Sequence, residues 1–145
     1  MKAYLLIIII IFTYACTEEN CNTARETVLC LEDLGCFNAP YNVSVETLKE
    51  FELIRNQEDF DRMVFSNCEF QIDWSLYDLV IGTKGLPGGL SNITKTLLTD
   101  CNANQKYLTV DISLDLTLIA PIITWQAVIP KLEDTESLFV QVNVN

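Results

Sequence analysis

The chain contains six cysteines, twenty acidic residues and no histidine, and these residue types limit the chemistry available to it. Without an imidazole base, neither a serine nor a cysteine nucleophile can be activated in the usual histidine-dependent way. The cysteines form no C-x-x-C pair, so their spacing does not indicate a zinc site. Paired carboxylates that hydrolyse glycosides remain a third hypothesis, although no spacing singles out two of them. The sequence therefore predicts a protein without catalytic activity, cofactor or metal.

Cys16 follows an apolar run, residues 3–12, that begins after Lys2 and is followed by the small residue Ala15. The run suits the core of a signal peptide but is shorter than the ~20 apolar residues that a transmembrane helix needs. A small residue directly before the cysteine is what a lipoprotein signal peptidase requires, so Cys16 is predicted to carry the lipid (palmitate). An ordinary secretory signal is the alternative, and it would leave Cys16 available for a disulfide with Cys21.

This signal divides the chain into a signal peptide (1–15), a tether and cysteine-bearing segment (16–42) and a β-rich domain (43–145). Glu18 and Glu19 partly match the acidic export signal of lipoproteins from Bacteroidetes-type bacteria. Two or more acyl chains anchor a protein stably, whereas one chain gives only marginal binding. The expected location is the bacterial cell envelope, as an outer-membrane lipoprotein, with the side of the membrane left open.

The other five cysteines are predicted to form disulfides, which are the default in an exported protein. Cys30 and Cys36 are close neighbours in sequence and would close a small loop. Cys68 and Cys101 each lie at the edge of a predicted element, and a bridge between them would close a longer loop, worth ~4 kcal/mol by chain entropy. Cys21 is then unpaired or exchanges with Cys30 or Cys36.

The formal net charge of −11 excludes several classes of partner. Such a surface repels phosphate backbones and anionic headgroups, so nucleic-acid binding is not expected. Two acidic clusters, residues 58–61 and 133–136, could in principle hold a cation. Neither has the spacing of an EF-hand loop, and a solvated acidic surface is the favoured interpretation.

Alternation of apolar and polar residues dominates the second half of the chain and predicts strands with one buried face. It runs from Leu108 to Leu118 and returns over residues 123–129 and 138–144, with Ile112 at the middle of the longest run. Asn56 is positioned to cap a short helix over residues 57–66. The predicted fold is mainly β (α+β): an antiparallel sheet curled into a sandwich or partial barrel, with one short helix.

Two segments, FELIRNQEDF (residues 51–60) and IDWSLYDLV (residues 72–80), are followed by a glycine-rich loop and a final VIPKL element. This order resembles the PrcB-like C-terminal domain family of a protease-stability complex, and uncharacterised flavobacterial lipoproteins of the same layout. The resemblance covers roughly residues 49–144. It implies a β-rich, non-catalytic module that binds or stabilises another envelope protein.

The glycine-rich loop is the candidate partner-binding site, with Leu86, Pro87, Gly88, Gly89 and Leu90 as its residues. Apolar side chains on a loop between strands favour a binding edge, and a plain connection between strands is the alternative. No Gly-Lys-Ser/Thr follows the glycines, so the loop is not a phosphate-binding loop. Loop tips carry little core area, so charged residues at positions 86 and 90 are expected to leave stability nearly unchanged.

Three aromatic residues, Trp74, Tyr77 and Trp125, support an alternative function. Exposed together, they would form a stacking platform for carbohydrate, and the protein would be a surface lipoprotein that binds carbohydrate or another ligand. Packing in the core is the favoured interpretation of all three. Their exposure in the folded protein separates the two hypotheses.

Overall fold

A computed structural model describes residues 23–100 and 102–145, and the signal peptide and Cys16 lie outside these residues. The described residues are mainly β, as the sequence predicted. They form two short helices where the sequence predicted one. The helices are α1 (Ala39–Asn42) and α2 (Gln57–Met63). The strands are β1 (Ala24–Glu26), β2 (Val43–Val45), β3 (Glu52–Ile54), β4 (Val64–Ser66), β5 (Tyr77–Gly85), β6 (Leu90–Asp100), β7 (Gln105–Leu114), β8 (Ile122–Pro130) and β9 (Ser137–Val144).

Two sheets account for most of the strands. Sheet A has the order β1-β6-β7-β9, and sheet B has the order β3-β5-β8. Strands β2 and β4 pair separately. The pairs are antiparallel except for β7 and β9, which run parallel with Gln105 opposite Ser137. The sequence predicted antiparallel pairing here; because β8 lies in sheet B, the chain returns to sheet A in the direction of β7.

The molecule has three layers, since sheet B is covered on both faces. Its inner face packs against sheet A around Trp125, which is 1% exposed. Its outer face packs against α1, α2 and the segments around them. The consecutive residues Leu79, Val80 and Ile81 are all fully buried because their side chains enter the two cores alternately. Burial on both faces explains an apolar run without alternation.

The predicted helix and the central part of the long strand are present. The side chain of Asn56 accepts a hydrogen bond from the backbone N–H of Asp59 and caps α2, which ends at Met63. Ile112 is fully buried in β7. The strand ends at Leu114, however, so the last two apolar residues of the alternating run lie beyond it.

The segment between Ala24 and Asn42 belongs to the folded body. Strand β1 pairs with β6, and Leu31, Cys36 and Ala39 are fully buried in the outer core. In the predicted tether and cysteine-bearing segment (16–42), the residues from Ala24 onward thus pack against the domain, and residues 16–22 lie outside the described part.

The disulfide pairing differs from the predicted one. Cys36 and Cys68 are bonded to each other, with a Cα–Cα distance of 5.2 Å, and Cys30 is free. Both predicted pairs, Cys30–Cys36 and Cys68–Cys101, are therefore wrong, because the fold brings Cys36 and Cys68 together in the outer core. Cys21 and Cys101 lie outside the described residues. The observed bond closes a loop of 32 residues, a length that stabilises the fold by ~3–4 kcal/mol in the chain-entropy description.

Candidate functional site

The glycine-rich loop does not present the apolar surface that the sequence predicted. Leu86 is 3% exposed and belongs to the inner core, and Leu90 is half-buried against it. Gly88 and Gly89 are buried too, and only Pro87 of the five residues is exposed. The loop therefore closes one end of the core, and the expectation that charges at positions 86 and 90 leave stability unchanged is wrong for Leu86.

The loop is buried because the β7–β8 connection packs over it. The backbone N–H of Leu86 donates to the carbonyl of Pro121 at 2.9 Å, and the N–H of Asp115 donates to the carbonyl of Gly89 at 2.8 Å. A Cβ at Gly89 would collide with the side chains of Asp115 and Thr117. A larger residue at this position would force these two side chains to move.

That connection, together with Ile122 at the start of β8, exposes four large aliphatic side chains. The exposed fractions are 101% for Leu116, 102% for Leu118, 59% for Ile119 and 77% for Ile122. Exposed apolar side chains are common singly, but several on one short loop indicate an interaction surface. We call residues 115–122 the aliphatic loop.

The aliphatic loop is held by its own hydrogen bonds. Asp115 Oδ1 accepts from the backbone N–H of Thr117 at 2.8 Å and from its hydroxyl at 2.5 Å. These bonds, the hydroxyl's above all, hold the pKa of the Asp115 carboxyl below its usual value of 3.8. The aliphatic side chains are thus presented from a fixed turn, which lowers the entropy lost when a partner binds.

Sequence reasoning missed this surface because it assigned Leu116 and Leu118 to the buried face of the long strand. Alternation places side chains on one face of a strand only while the backbone pairs with a neighbour. Asp115 and Pro121 were the available signals that the strand stops, since both residues favour turns.

The aliphatic loop and the N-terminal end of the domain lie at opposite ends of sheet A. Ala24 of β1 lies opposite Thr99, whereas the aliphatic loop follows Leu114, which lies opposite Leu90. The nine residue steps of β6 between these positions span roughly 30 Å at the rise of an antiparallel strand. We call the end that carries the aliphatic loop the distal end.

A cavity of about 140 Å³ opens between the two sheets beside the edge strand β9. It is lined by the apolar residues Phe51, Trp125, Val140 and Val142 and by the polar residues Glu50, Thr83 and Lys84. Gly82 lies opposite Trp125 in the β5–β8 ladder. A Cβ at Gly82 would come within 2.6 Å of the indole, so glycine lets the ring lie against the strand.

The segments that carry the family resemblance meet at one buried carboxylate. Asp78 is fully buried; Arg55 Nε lies 3.3 Å from its Oδ2 and Lys131 Nζ lies 3.4 Å from its Oδ1. The backbone N–H of Leu132 also donates to Asp78 at 2.9 Å. Lys131 bonds the carbonyl of Trp74 at 2.7 Å. This ion cluster links the three segments, and both oxygens of the Asp78 carboxylate have partners.

A second ion cluster links β1 to strand β7 of the same sheet. Lys106 is 5% exposed, and its Nζ lies 2.9 Å from Glu26 Oε1 and 3.7 Å from Glu136 Oε1. Burial acts to raise the pKa of the Glu26 carboxyl, but the hydrogen bonds from Thr99 and Lys106 outweigh it and leave the pKa below its usual value. The cluster therefore stabilises the packing of the N-terminal segment.

The three aromatic residues proposed as a platform do not lie together. Trp125 is in the inner core, whereas Trp74 and Tyr77 pack against the outer core on the other side of sheet B. Trp74 is half-buried and donates its indole N–H to Gln57 at 2.8 Å. The three residues therefore do not form the alternative carbohydrate platform, and they pack in or against the two cores, as the favoured interpretation expected.

The two acidic clusters are held by other contacts. Asp59 is paired with Arg62 in α2, Asp134 lies 3.6 Å from Arg55, and Glu136 belongs to the Lys106 cluster. Within residues 23–100 and 102–145, no group of three or more potential metal ligands comes together. None of the helices in this part of the chain is long and apolar enough to cross a membrane.

No protein-family model matches the chain, and no curated protein or solved structure is significantly similar to it.

Proposed function

We propose that this protein is a lipid-anchored component of the bacterial cell envelope that binds and stabilises another envelope protein without turnover. The aliphatic loop is the observation that carries the proposal. Four aliphatic side chains are held in water by a loop with its own hydrogen bonds, which has an energetic cost that partner binding would remove. The PrcB-like sequence pattern supports the same role.

A protein partner fits this surface better than a bilayer or a nucleic acid does. The chain has a net charge of −11, and the aliphatic loop carries Asp115 and no basic residue. Loops that enter membranes usually combine apolar residues with lysine or arginine, which attract anionic headgroups. The electrostatics therefore favour a neutral or basic apolar patch on a protein.

The position of the aliphatic loop also suits an anchored protein. The seven residue steps from Cys16 to Thr23 reach at most about 25 Å, so a lipid on Cys16 would keep the Ala24 end near the membrane. The aliphatic loop lies at the distal end of sheet A, away from that attachment point. An anchor at one end and a binding surface at the other suit a protein that holds a partner at the envelope.

The residues available for catalysis support a non-enzymatic role. The whole sequence lacks histidine. Asp78, the fully buried carboxylate, is bonded by Arg55, Lys131 and the backbone of Leu132. These contacts give Asp78 a structural role in joining the segments around it.

The anchor is tested by labelling with radioactive palmitate in a bacterium that processes lipoproteins. The wild type should take up label, and Cys16→Ala should not. Equal labelling of both proteins would refute lipidation at Cys16.

The binding surface is tested by native electrophoresis of detergent-solubilised envelopes. Serine at positions 116, 118, 119 and 122 should release the protein from its complex. The matched control replaces four exposed apolar residues elsewhere, Phe37, Leu48, Phe65 and Leu76, and should keep the complex. The proposal is contradicted if only the control variant loses the complex, or if neither variant does. In a separate experiment, flotation of the Cys16→Ala protein with vesicles would show that the loop binds lipid instead.

A further inference from the structure

Among residues 23–100 and 102–145, no strand pairs with the outer side of β9, which is an edge of sheet A, and its sequence lacks the usual protection. It is eight residues long and carries no charged residue, proline or glycine. The opposite edge, β1, has only three residues, of which Arg25 and Glu26 are charged. Short length and charge are the means by which proteins keep other strands off an exposed edge. The β9 edge of sheet A can therefore pair with a further strand, whereas the β1 edge is protected against such pairing.

The register defines which groups of β9 face outward. The backbone N–H of Ser137 donates to Asn104, and that of Asn145 donates to Ile112 at 2.9 Å. Every second residue of a parallel strand bonds the same neighbour, so the odd-numbered residues of β9 bond β7. The backbone groups of Leu138, Val140, Val142 and Val144 therefore point away from the sheet.

The side chains of these same residues face the inner core, on the side of the sheet where the cavity lies. Leu138, Val140, Val142 and Val144 pack against the inner core, and two of them line the cavity with Trp125. An added strand that pairs with β9 would direct alternate side chains toward that cavity. A cavity of about 140 Å³ has room for one large side chain beside Trp125, Val140 and Val142.

We propose that β9 accepts an extended segment of a partner protein as an additional strand, with one large apolar side chain of that segment in the cavity beside Trp125. This inference rests on the proposed function, since it names the chemistry of the partner. The C-terminal residue Asn145 bonds both Ile112 and Leu114, so the β9 edge ends beside the aliphatic loop. The edge and the loop then form one continuous surface.

A second copy of the chain does not satisfy the same geometry. In a symmetric β9–β9 pair, the inward side chains of each strand already pack against the core of their own sandwich. Neither copy could place a side chain in the cavity of the other. The net charge of −11 on each chain also opposes association.

The test uses the purified, ¹⁵N-labelled protein and a synthetic peptide, acetyl-Thr-Val-Thr-Leu-Thr-Val-Thr-amide. We expect amide shifts at positions 138, 140, 142 and 144 and a shift of the Trp125 indole, with a Kd of about 1 mM or tighter. A control peptide with aspartate in place of leucine should bind about ten-fold more weakly or not at all. Equal shifts with both peptides, or none at several times the expected Kd, would overturn the proposal.

Two proline variants check the register. Val142→Pro removes an outward N–H, which edge strands tolerate, so the fold should remain while peptide affinity falls about ten-fold. Gln141→Pro removes a bond to β7 and should destabilise the domain. Unchanged peptide affinity in Val142→Pro contradicts the inference. Amide shifts in β9 that change with protein concentration and not with added peptide also contradict it.

The native complex separates this inference from the proposed function. If Val142→Pro loses the peptide but keeps the envelope complex, the edge is not the partner site, although the proposed function stands. If the serine variant of the aliphatic loop and Val142→Pro both lose the complex, both proposals are supported.

Discussion

Two loops meet at the distal end of sheet A, and their burial is the reverse of what the sequence predicted. The glycine-rich loop was predicted to present apolar side chains, yet Leu86 is 3% exposed. The aliphatic loop was predicted, as far as Leu118, to continue the long strand with its leucines on the buried face, yet Leu118 is 102% exposed. Glycines indicate where the backbone bends or approaches another segment, and they do not indicate exposure. Apolar alternation indicates burial only where the backbone has a strand to pair with.

Among the variants that test this difference in burial, Leu86→Asp is expected to have the largest effect on the free energy of unfolding. A charge in the inner core should cost at least about 3 kcal/mol in the free energy of unfolding, with a Tm lower by more than about 10 °C. Thermal melts by circular dichroism measure the change. A Tm within a few degrees of wild type would show that position 86 is exposed after all.

The contact between the loops is tested by Gly89→Ala. Its Cβ collides with the side chains of Asp115 and Thr117, so these side chains and the hydrogen bond between them must shift, and we expect a cost of about 1–3 kcal/mol. Gly85→Ala is the matched control, because nothing lies within 4 Å of a Cβ there, and its effect should stay within about 0.5 kcal/mol. Urea titrations of the two variants measure the difference, and equal stability would contradict the packing described.

Acid should loosen the aliphatic loop before the glycine-rich loop. The pKa of Asp115 is below 3.8 in the folded protein because Thr117 bonds the charged carboxylate. The stabilisation is thus present above the ordinary pKa and lost as the pH falls through the lowered one. Hydrogen exchange at the Thr117 amide should accelerate relative to the Leu86 amide below about pH 3.8. Asp115→Asn can still accept these bonds but does not titrate, so the same acceleration in this variant would contradict the assignment.

The smallest effect on stability is expected from Leu118→Asp. The side chain is fully exposed, so the Tm should stay close to that of wild type, with a change within about 0.5 kcal/mol. The same thermal melts used for Leu86→Asp provide the comparison. A loss comparable with that of Leu86→Asp would mean that the aliphatic loop packs into the core.

Local patterns in the sequence were sufficient to predict individual elements. Asn56 and the acids after it predicted α2, and alternation predicted the strand around Ile112. These signals are local because a cap and a half-buried strand depend on residues close in the chain. The same holds for Leu79–Ile81, whose uninterrupted apolar character indicated a buried strand.

The features that sequence reasoning missed depend on contacts between distant segments. The Cys36–Cys68 bond and the burial of Leu31 both require the outer layer over sheet B, which no local pattern predicts. The parallel β7–β9 pair depends on which sheet β8 joins. The candidate surface was missed for the same reason, since Leu116 is exposed only because β7 ends at Leu114.

The central claim, that the aliphatic loop is the partner-binding surface, is tested most directly by photo-crosslinking in living cells. A photoreactive amino acid is placed at position 118 or, as a control of equal exposure, at position 48. The account predicts one discrete crosslinked protein from position 118, lost when positions 116, 119 and 122 are changed to serine, and none from position 48. The same products from both positions, or crosslinks to lipid alone from position 118, would contradict it.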